Sequence, residues 1–272
     1  MQSMSVLWGR LAAVLYALGL FHALLSVMRR PVNLFRLALG AFCAGFILQM
    51  VSIVEDGVSM GHFPANDFYQ SVSLCAFLIA ALFLVVYWRY GFESLSVFIF
   101  PLVFILTLVG ALRSPVAAWT DTTVRGAWLV LHVCLVLVGY AALLLTAVAS
   151  VTYLILERQL KTKRVRAGFD RLPPLGALDE LMTKAMTAGF VFITLAVVAG
   201  STWASIESGA RWISDPRIVI SLVTWGLYLV MVFLRATAGW RGRKAALMVI
   251  ALVGFSALTW AAHTGLRSLL TR

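Results

Sequence analysis

Long apolar segments recur along the whole chain, and they constrain its fold more than any other feature. Each is roughly 20 residues long, the length that an α-helix needs to cross a hydrocarbon layer about 30 Å thick. We count eight, over residues 5–28, 37–54, 68–88, 94–112, 126–156, 181–202, 217–235 and 245–266. With 62% hydrophobic and 12% charged residues, no water-soluble domain of this size could cover such a core. The sequence therefore predicts an all-α, polytopic transmembrane helical bundle of about eight spans, with residues 1–272 forming a single domain.

The net charge of +11 is distributed unevenly between the connecting loops. Basic residues cluster after the first, fifth and seventh apolar segments, at Arg29, Arg30, Arg36, Arg158, Lys161, Lys163, Arg164, Arg166, Arg171, Arg235, Arg241, Arg243 and Lys244. Such alternation is the positive-inside pattern of membrane proteins, so these loops are predicted to be cytoplasmic and to contact anionic lipid. The acidic segment 55–67 and both termini are then predicted to lie outside. Because topology accounts for the basic excess, a nucleic-acid partner is not predicted.

The connections between the apolar segments define the predicted boundaries. The longest polar connection runs from Glu157 to Glu180 and contains Pro173 and Pro174, which is typical of a surface loop. Outer loops are expected over residues 55–67, 113–125 and 203–216. Pro101 lies inside the fourth segment, and it is expected to kink that helix because proline removes a backbone donor.

Cysteine usage excludes two kinds of redox protein. Cys43, Cys75 and Cys134 all lie within apolar segments, and neither a C-x-x-C nor a C-x-x-C-H motif occurs. Dithiol chemistry is therefore not expected, and the chain is not itself a c-type cytochrome. All three cysteines are predicted to be buried small hydrophobic residues. The first apolar segment is followed by Arg29 and Arg30, which predicts a retained span rather than a cleaved signal peptide.

The predicted topology brings two histidines to one membrane face. His132 lies near the outer end of the fifth segment and His263 near the outer end of the eighth. Ionisable side chains inside a membrane are costly and usually functional. Since two neutral imidazoles are natural axial ligands for haem iron, this pair is predicted to bind a metal. His62 is expected to be a hydrogen-bonded loop residue, and His22, in the inner half of the first segment, could ligate haem at a second site.

The connection between the sixth and seventh apolar segments is rich in tryptophan, glycine and charge. Trp203, Trp212 and Asp215 lie in it, and Trp225 is expected beneath them in the seventh segment. Tryptophan concentrates at membrane interfaces in any case, and belt residues are expected at Trp8, Trp88, Trp119, Trp128 and Trp240. Interfacial tryptophans of this kind do not require a loop that contains several glycines and an Asp-Pro pair. The flat rings of this loop are therefore predicted to stack on a porphyrin.

In these residues the chain resembles the cytochrome c assembly family of haem-handling membrane proteins, including CcsA/CcmC-like members and small HemX-type and YpjD-type members. The matching motifs follow family order over most of the chain: Gly61-His62-Phe63-Pro64-x-Asn66-x-x-Tyr69-x-Ser71, Leu131-His132-Val133, Tyr140-Ala141-Ala142, Gly200-x-x-Trp203-Ala204, Trp212-x-x-Asp215-Pro216-Arg217, Trp225 and His263. In that family a tryptophan-rich external loop, the WWD domain, presents haem between two external histidines. The resemblance implies His132 and His263 as haem ligands, with Trp203, Trp212 and Asp215 in the loop. The family's denser signature has a further tryptophan before the Asp-Pro pair, where this chain has Ser214.

The resulting hypothesis is a bacterial inner-membrane protein that presents or handles non-covalent haem b at its outer, periplasmic face in cytochrome c biogenesis. No catalytic residues are predicted, because the sequence contains no recognisable activated nucleophile or zinc motif. The expected partners are membrane lipids and an apocytochrome c or another membrane biogenesis protein. Three alternatives stay open: a HemX-like accessory or regulatory protein with weak haem binding, a small solute transporter, and a structural scaffold. A transporter usually places its polar groups near the membrane midplane, whereas the distinctive residues here gather at one interface.

Overall fold

The computed structural model describes the backbone of residues 2–29, 32–61, 63–64, 68–112, 123–162, 173–208 and 216–270, and side chains within 4–26, 34–61, 63–64, 69–112, 127–162, 173–206 and 218–257. Along these residues run eight α-helices and a short 3-10 helix at Glu93–Leu95. The α-helices are α1 (Gln2–Arg29), α2 (Val32–Met60), α3 (Phe68–Tyr90), α4 (Ser96–Ala111), α5 (Thr123–Thr162), α6 (Leu175–Ser208), α7 (Pro216–Thr237) and α8 (Arg243–Leu270). The described part of the chain contains no β-strand, which confirms the all-α prediction.

Seven helices, α1 to α7, are long and apolar enough to cross a membrane, counting only described residues. The polytopic helical bundle predicted from the sequence is therefore confirmed. Helix α8 has 28 residues, which at about 1.5 Å per residue extends over roughly 42 Å. That α8 forms an eighth span, and that both termini lie outside, stay predictions.

The prediction of a loop from Glu157 to Glu180 is wrong at both boundaries, because the helices on either side continue into the polar sequence. Helix α5 ends at Thr162 and α6 begins at Leu175. Glu157 pairs with Lys161 at 2.6 Å, and Glu180 pairs with the lysine four residues later at 2.5 Å. Such i, i+4 pairs support a helix that has already left the apolar layer, and glutamate and lysine are good helix formers.

Two predicted outer loops are likewise shorter than expected. Helix α2 reaches Met60, so Glu55 and Asp56 are helical, and Asp56 is only 4% exposed. Helix α6 reaches Ser208, so Trp203 is helical and not part of a loop. A span predicted from hydropathy ends where the sequence becomes polar. The helix itself ends only where its backbone hydrogen bonds end.

The chain divides into two compact units. The first contains α1 to α4 and the beginning of α5 up to Val130. Its core includes the rings of Phe42 and Phe100, which stack with their centroids 4.2 Å apart. Beside them the buried Tyr16 hydroxyl donates a hydrogen bond to Oε1 of Gln49 at 2.9 Å. Pro101 lies inside α4, as predicted. A single domain over residues 1–272 stays a prediction.

The second unit contains α5 from Leu131 onward together with α6, α7 and α8. All four helices contribute to one apolar core, formed by Leu143, Met186, Ile193, Tyr228, Met231, Val249 and Leu252. Near the start of α6, Asp179 forms an ion pair with Arg235 of α7 at 2.9 Å. Oδ1 of Asp179 also accepts the backbone N–H of Gly242, whose φ of +60° places it in the left-handed region that favours glycine. This contact holds the turn between α7 and α8.

The cysteines differ from their prediction in burial. Cys43, Cys75 and Cys134 are unpaired thiols, as expected from their spacing, but each is half-buried and not fully enclosed. Apolar sequence places a residue inside a membrane span, whereas its burial depends on whether its helix face meets another helix.

Candidate functional site

A cavity of about 330 Å³ lies within the second unit, with α5 and α7 as its walls and α6 between them. Its volume falls within the range of roughly 300–1,000 Å³ that is usual for small-molecule and cofactor sites. On α5 the lining extends from His132 to Leu143, roughly 16 Å along a helix of 1.5 Å rise per residue. No described residue of the lining is charged, so the cavity suits a mainly apolar ligand.

His132 is the one imidazole in this described lining, and imidazole is a side-chain type that commonly ligates metals. Its Nδ1 lies 2.9 Å from the backbone oxygen of Ala196 on α6. A carbonyl oxygen can only accept, so Nδ1 carries the proton and donates it. The second ring nitrogen, Nε2, is then unprotonated in the neutral imidazole and keeps a lone pair for a metal.

Glycines allow α5 and α6 to approach closely beside His132. A Cβ built on Gly139 would lie 2.6 Å from a side-chain carbon of Ile193, and one on Gly189 would lie 3.2 Å from the Gly139 carbonyl oxygen. A Cβ on Gly200 would lie 2.7 Å from Cε1 of His132. Gly189, Ala196 and Gly200 follow the spacing of one helix face, so α6 presents small residues to α5 on either side of Ile193.

The aromatic rings of Trp225 and Tyr228 on α7 form part of the cavity wall. The indole N–H of Trp225 donates to the hydroxyl of Thr194 at 3.0 Å, and its ring stacks on Phe190 with an interplanar angle of 17°. The hydroxyl of Tyr228 donates to the carbonyl of Met186 at 2.8 Å. Because their polar atoms bind neighbouring protein atoms, Trp225 and Tyr228 offer apolar faces to the cavity.

The structure brings two of the sequence-predicted residues together, since both His132 and Trp225 line the cavity. Trp203 lies one turn beyond Gly200 in α6, half-buried, and is absent from the described lining. His263 belongs to α8, but its side chain lies outside the described residues, and so do His62, Trp212 and Asp215. His22 lies in α1 of the first unit, where its Nδ1 donates to the carbonyl of Leu18 at 2.8 Å.

Several contributors to the cavity were not predicted as site residues. They are Ala196, which acts through its backbone, and Thr194 and Phe190, which position Trp225. The small residues of α6 at i, i+7 and i+11 could have indicated a close helix contact. No sequence signal identifies which carbonyl a histidine from another helix will reach.

The donor set fits a planar metal-containing ring. It offers one imidazole with a free Nε2, apolar aromatic faces and no charged lining residue among those described. Haem iron takes such an imidazole as an axial ligand. Among the described residues no group of three or more His, Cys, Asp or Glu could hold a bare metal ion. The described lining thus offers one imidazole that could act as a metal ligand.

Comparison with known proteins extends this picture to the whole chain. The family described as cytochrome C assembly protein matches residues 4–270. The cytochrome c biogenesis protein CcsA of Chlamydomonas reinhardtii is 26% identical over 253 residues, which cover 90% of this chain and 70% of the relative. The protein of that name from Prochlorococcus marinus (strain MIT 9303) is 25% identical over 86% of both chains, and that from Synechococcus sp. (strain CC9902) is 28% identical over 70% of this chain and 71% of its own. No solved structure matches.

Proposed function

This chain belongs to the cytochrome c assembly protein family, and from that membership we propose that it takes part in cytochrome c biogenesis by binding haem in the cavity of its second unit. The relatives named CcsA support the biological role. The chain is a multi-pass membrane protein, since seven of its helices are able to span a bilayer. The matches do not support the accessory-protein or transporter alternatives.

The orientation of His132 carries the proposal. Its Nδ1–H is already bonded to Ala196, and its ring lines a cavity of about 330 Å³ whose lining is mainly apolar. Histidines that ligate metals usually donate the other ring N–H to a carbonyl or carboxylate, because that bond orients the ring.

The proposed site residues have two roles: some ligate the haem iron, and the others surround the haem. When bound, haem would supply an iron that can take imidazole nitrogens as ligands. We assign these to His132 and His263 and expect non-covalent binding of a b-type haem. Trp225 would provide a flat apolar wall, and we assign Trp203, Trp212 and Asp215 to the surroundings of the haem. His22, in the first unit, is assigned to a second, inner site.

The location of the site follows from the charge pattern. The basic connections are predicted to be cytoplasmic, which places the His132 end of α5 at the outer face of a bacterial inner membrane. There the protein would present haem to an apocytochrome c or pass it to another membrane biogenesis component. This chain contains no C-x-x-C-H motif of its own, so the thiols for covalent attachment must come from the partner.

Haem titration of purified protein tests the proposal. Wild-type protein in detergent should develop a Soret band on addition of haem, and His132→Ala should lower its haem affinity at least 10-fold. Trp88→Ala is the matched comparison, because this exposed side chain lies in the first unit and is assigned to no haem site. A wild-type protein with no Soret band, or equal haem binding by wild type and His132→Ala, would overturn the proposed site.

A further inference from the structure

Helix α6 controls the orientation of the His132 ring, and we propose that Gly200 is the positioning residue that makes Nε2 the ligating atom. Gly200 acts by leaving room for the ring to reach the carbonyl of Ala196. The inference rests on the proposed haem site, but its central claim concerns the protein without haem.

The carbonyl of Ala196 has the capacity for two hydrogen bonds. Inside a helix its oxygen accepts the N–H of the residue four positions later, which is Gly200. A carbonyl oxygen has a second lone pair, and Nδ1–H of His132 occupies it at 2.9 Å. The imidazole therefore lies against the same turn of α6 whose hydrogen bond Gly200 completes.

A side chain at position 200 would displace the ring. An ideal Cβ there would lie 2.7 Å from Cε1 and 3.0 Å from Nδ1 of His132, and real Cβ atoms essentially never approach closer than 3.0 Å. These are the atoms at and beside the donor of the hydrogen bond. A ring that moves away from the Cβ must therefore lengthen or break its bond to Ala196.

The helices cannot easily separate to relieve this clash. Seven residues after His132, Gly139 lies against α6, and a Cβ on Gly189 would be 3.2 Å from its carbonyl oxygen. Moving α5 outward would open this contact and uncover apolar surface around Ile193. Rotating the His132 side chain disrupts fewer contacts than separating α5 from α6, so the imidazole moves first.

The consequence concerns the chemical state of the ligand. With Nδ1–H bonded, His132 is held in one tautomer and one ring orientation, and Nε2 is available without rearrangement. The same bond increases the basicity of Nε2, which strengthens its attachment to a metal. Without it, the ring samples both tautomers and other rotamers.

His22 provides an internal comparison. Its Nδ1–H also bonds to a carbonyl, at 2.8 Å, but the acceptor is Leu18 in its own helix. That bond depends on local helix geometry in the first unit and is independent of Gly200. A change at position 200 should alter the tautomer of His132 and leave that of His22 unchanged.

The experiment measures tautomers by nitrogen NMR on haem-free, 15N-histidine-labelled protein in lipid nanodiscs. The chain has four histidines, and His132→Ala and His22→Ala assign the two relevant signals. We expect both in a fixed Nδ1–H form in the wild type. Gly200→Ala should convert His132 to a mixture of tautomers while His22 keeps its signal. The control is Gly254→Ala in α8, whose added Cβ would meet no atom within 4 Å.

Haem binding supplies the second readout. Gly200→Ala should weaken haem binding about 10-fold or more and raise the reduction potential of the haem that remains, because a less basic imidazole stabilises ferric iron less well. Gly254→Ala should match the wild type, although it carries the same Gly-to-Ala gain in helix propensity. A fixed Nδ1–H signal and wild-type haem affinity in Gly200→Ala would overturn the inference.

Two further outcomes separate this inference from the proposed function. If Gly200→Ala does not fold, the wild-type spectrum decides, because a His132 that exchanges between tautomers overturns the positioning role. If Gly200→Ala abolishes the fixed signal but His132→Ala binds haem normally, the positioning of the ring stands and the haem-ligand assignment is wrong.

Discussion

The indole N–H of Trp225 on α7 donates a hydrogen bond to the hydroxyl of Thr194 on α6, 3.0 Å away. The Thr194 hydroxyl in turn donates to the carbonyl of Phe190, whose ring stacks against the same indole. Thr194 therefore both orients Trp225 and satisfies its one polar atom. This arrangement turns the face of the indole into a fixed wall of the cavity.

Replacing Thr194 by valine should destabilise the protein by about 1–3 kcal/mol, because it leaves the part-buried N–H of Trp225 without its acceptor. The measurement is the thermal unfolding midpoint in detergent. Thr202→Val is the control, since the exposed Thr202 hydroxyl bonds only to the Val198 carbonyl within α6. Equal midpoints for the two variants would show that the Trp225 contact contributes nothing.

His263→Ala should lower haem content and shift the spectrum as His132→Ala does, because each removes one of two proposed axial imidazoles. Added imidazole should restore part of the spectrum in either single variant, since the other ligand and the aromatic wall remain. His62→Ala should have less effect. Unchanged spectra in both His132→Ala and His263→Ala would refute the ligand pair.

Alanine at Trp203 or Trp212 should reduce haem binding while membrane insertion stays normal, and phenylalanine should be better tolerated because it keeps most of the apolar ring. Asp215→Asn should also weaken binding, if its carboxylate orders the connection by accepting backbone N–H bonds. Trp88→Ala is the control, since that side chain is 86% exposed and lies in the first unit. Should it reduce haem content as much, the other tryptophans would be ordinary interfacial residues.

Cysteine labelling tests the orientation. In a background without Cys43, Cys75 and Cys134, single cysteines placed in segments 163–172 and 209–215 should react from opposite sides of the membrane. We expect the first to be cytoplasmic, because it lies within the most basic connection, and the second to be external. Labelling of both cysteines from the same side would contradict this topology. It would also contradict the prediction that His132 and His263 lie at the same outer face.

Asp179→Asn should lower the free energy of unfolding by about 3 kcal/mol, because it leaves Arg235 buried without its counter-charge. Arg235 is only 7% exposed, and Asp179 also accepts the N–H of Gly242. Glu180→Gln is the matched control on the neighbouring residue, where an exposed pair with Lys184 should contribute at most about 1 kcal/mol. Thermal unfolding of both variants in detergent decides; comparable losses would contradict the role of the buried pair.

Sequence patterns predicted the helices well and their ends poorly. Pro101 lies within a helix, and every long apolar run coincides with one. The sequence pattern predicts a loop at Trp203 because hydropathy falls around it, but α6 continues to Ser208. Polar residues such as Glu157 and Lys161 form helix as readily as apolar ones, so hydropathy marks the edge of the membrane layer and not the end of the helix.

The candidate site divides in the same way. Residue chemistry singled out His132 and Trp225, because an intramembrane imidazole and an unusual aromatic are visible in the sequence alone. That they share a cavity, and that Nδ1 of His132 reaches Ala196, could not be predicted. Such contacts depend on the rotation and separation of two helices whose residues are 64 positions apart.

The sequence by itself determined that this chain forms membrane-spanning helices, because runs of about 20 apolar residues have no stable alternative in water. It also predicted which side chains would bind and surround haem. Only the tertiary structure decided how the His132 imidazole is oriented against α6. The separation of α5 and α6 is set by Gly139, Gly189 and Gly200, which admit the imidazole to a backbone oxygen. That distance arises from packing between helices, and packing has no counterpart in the local pattern of either helix.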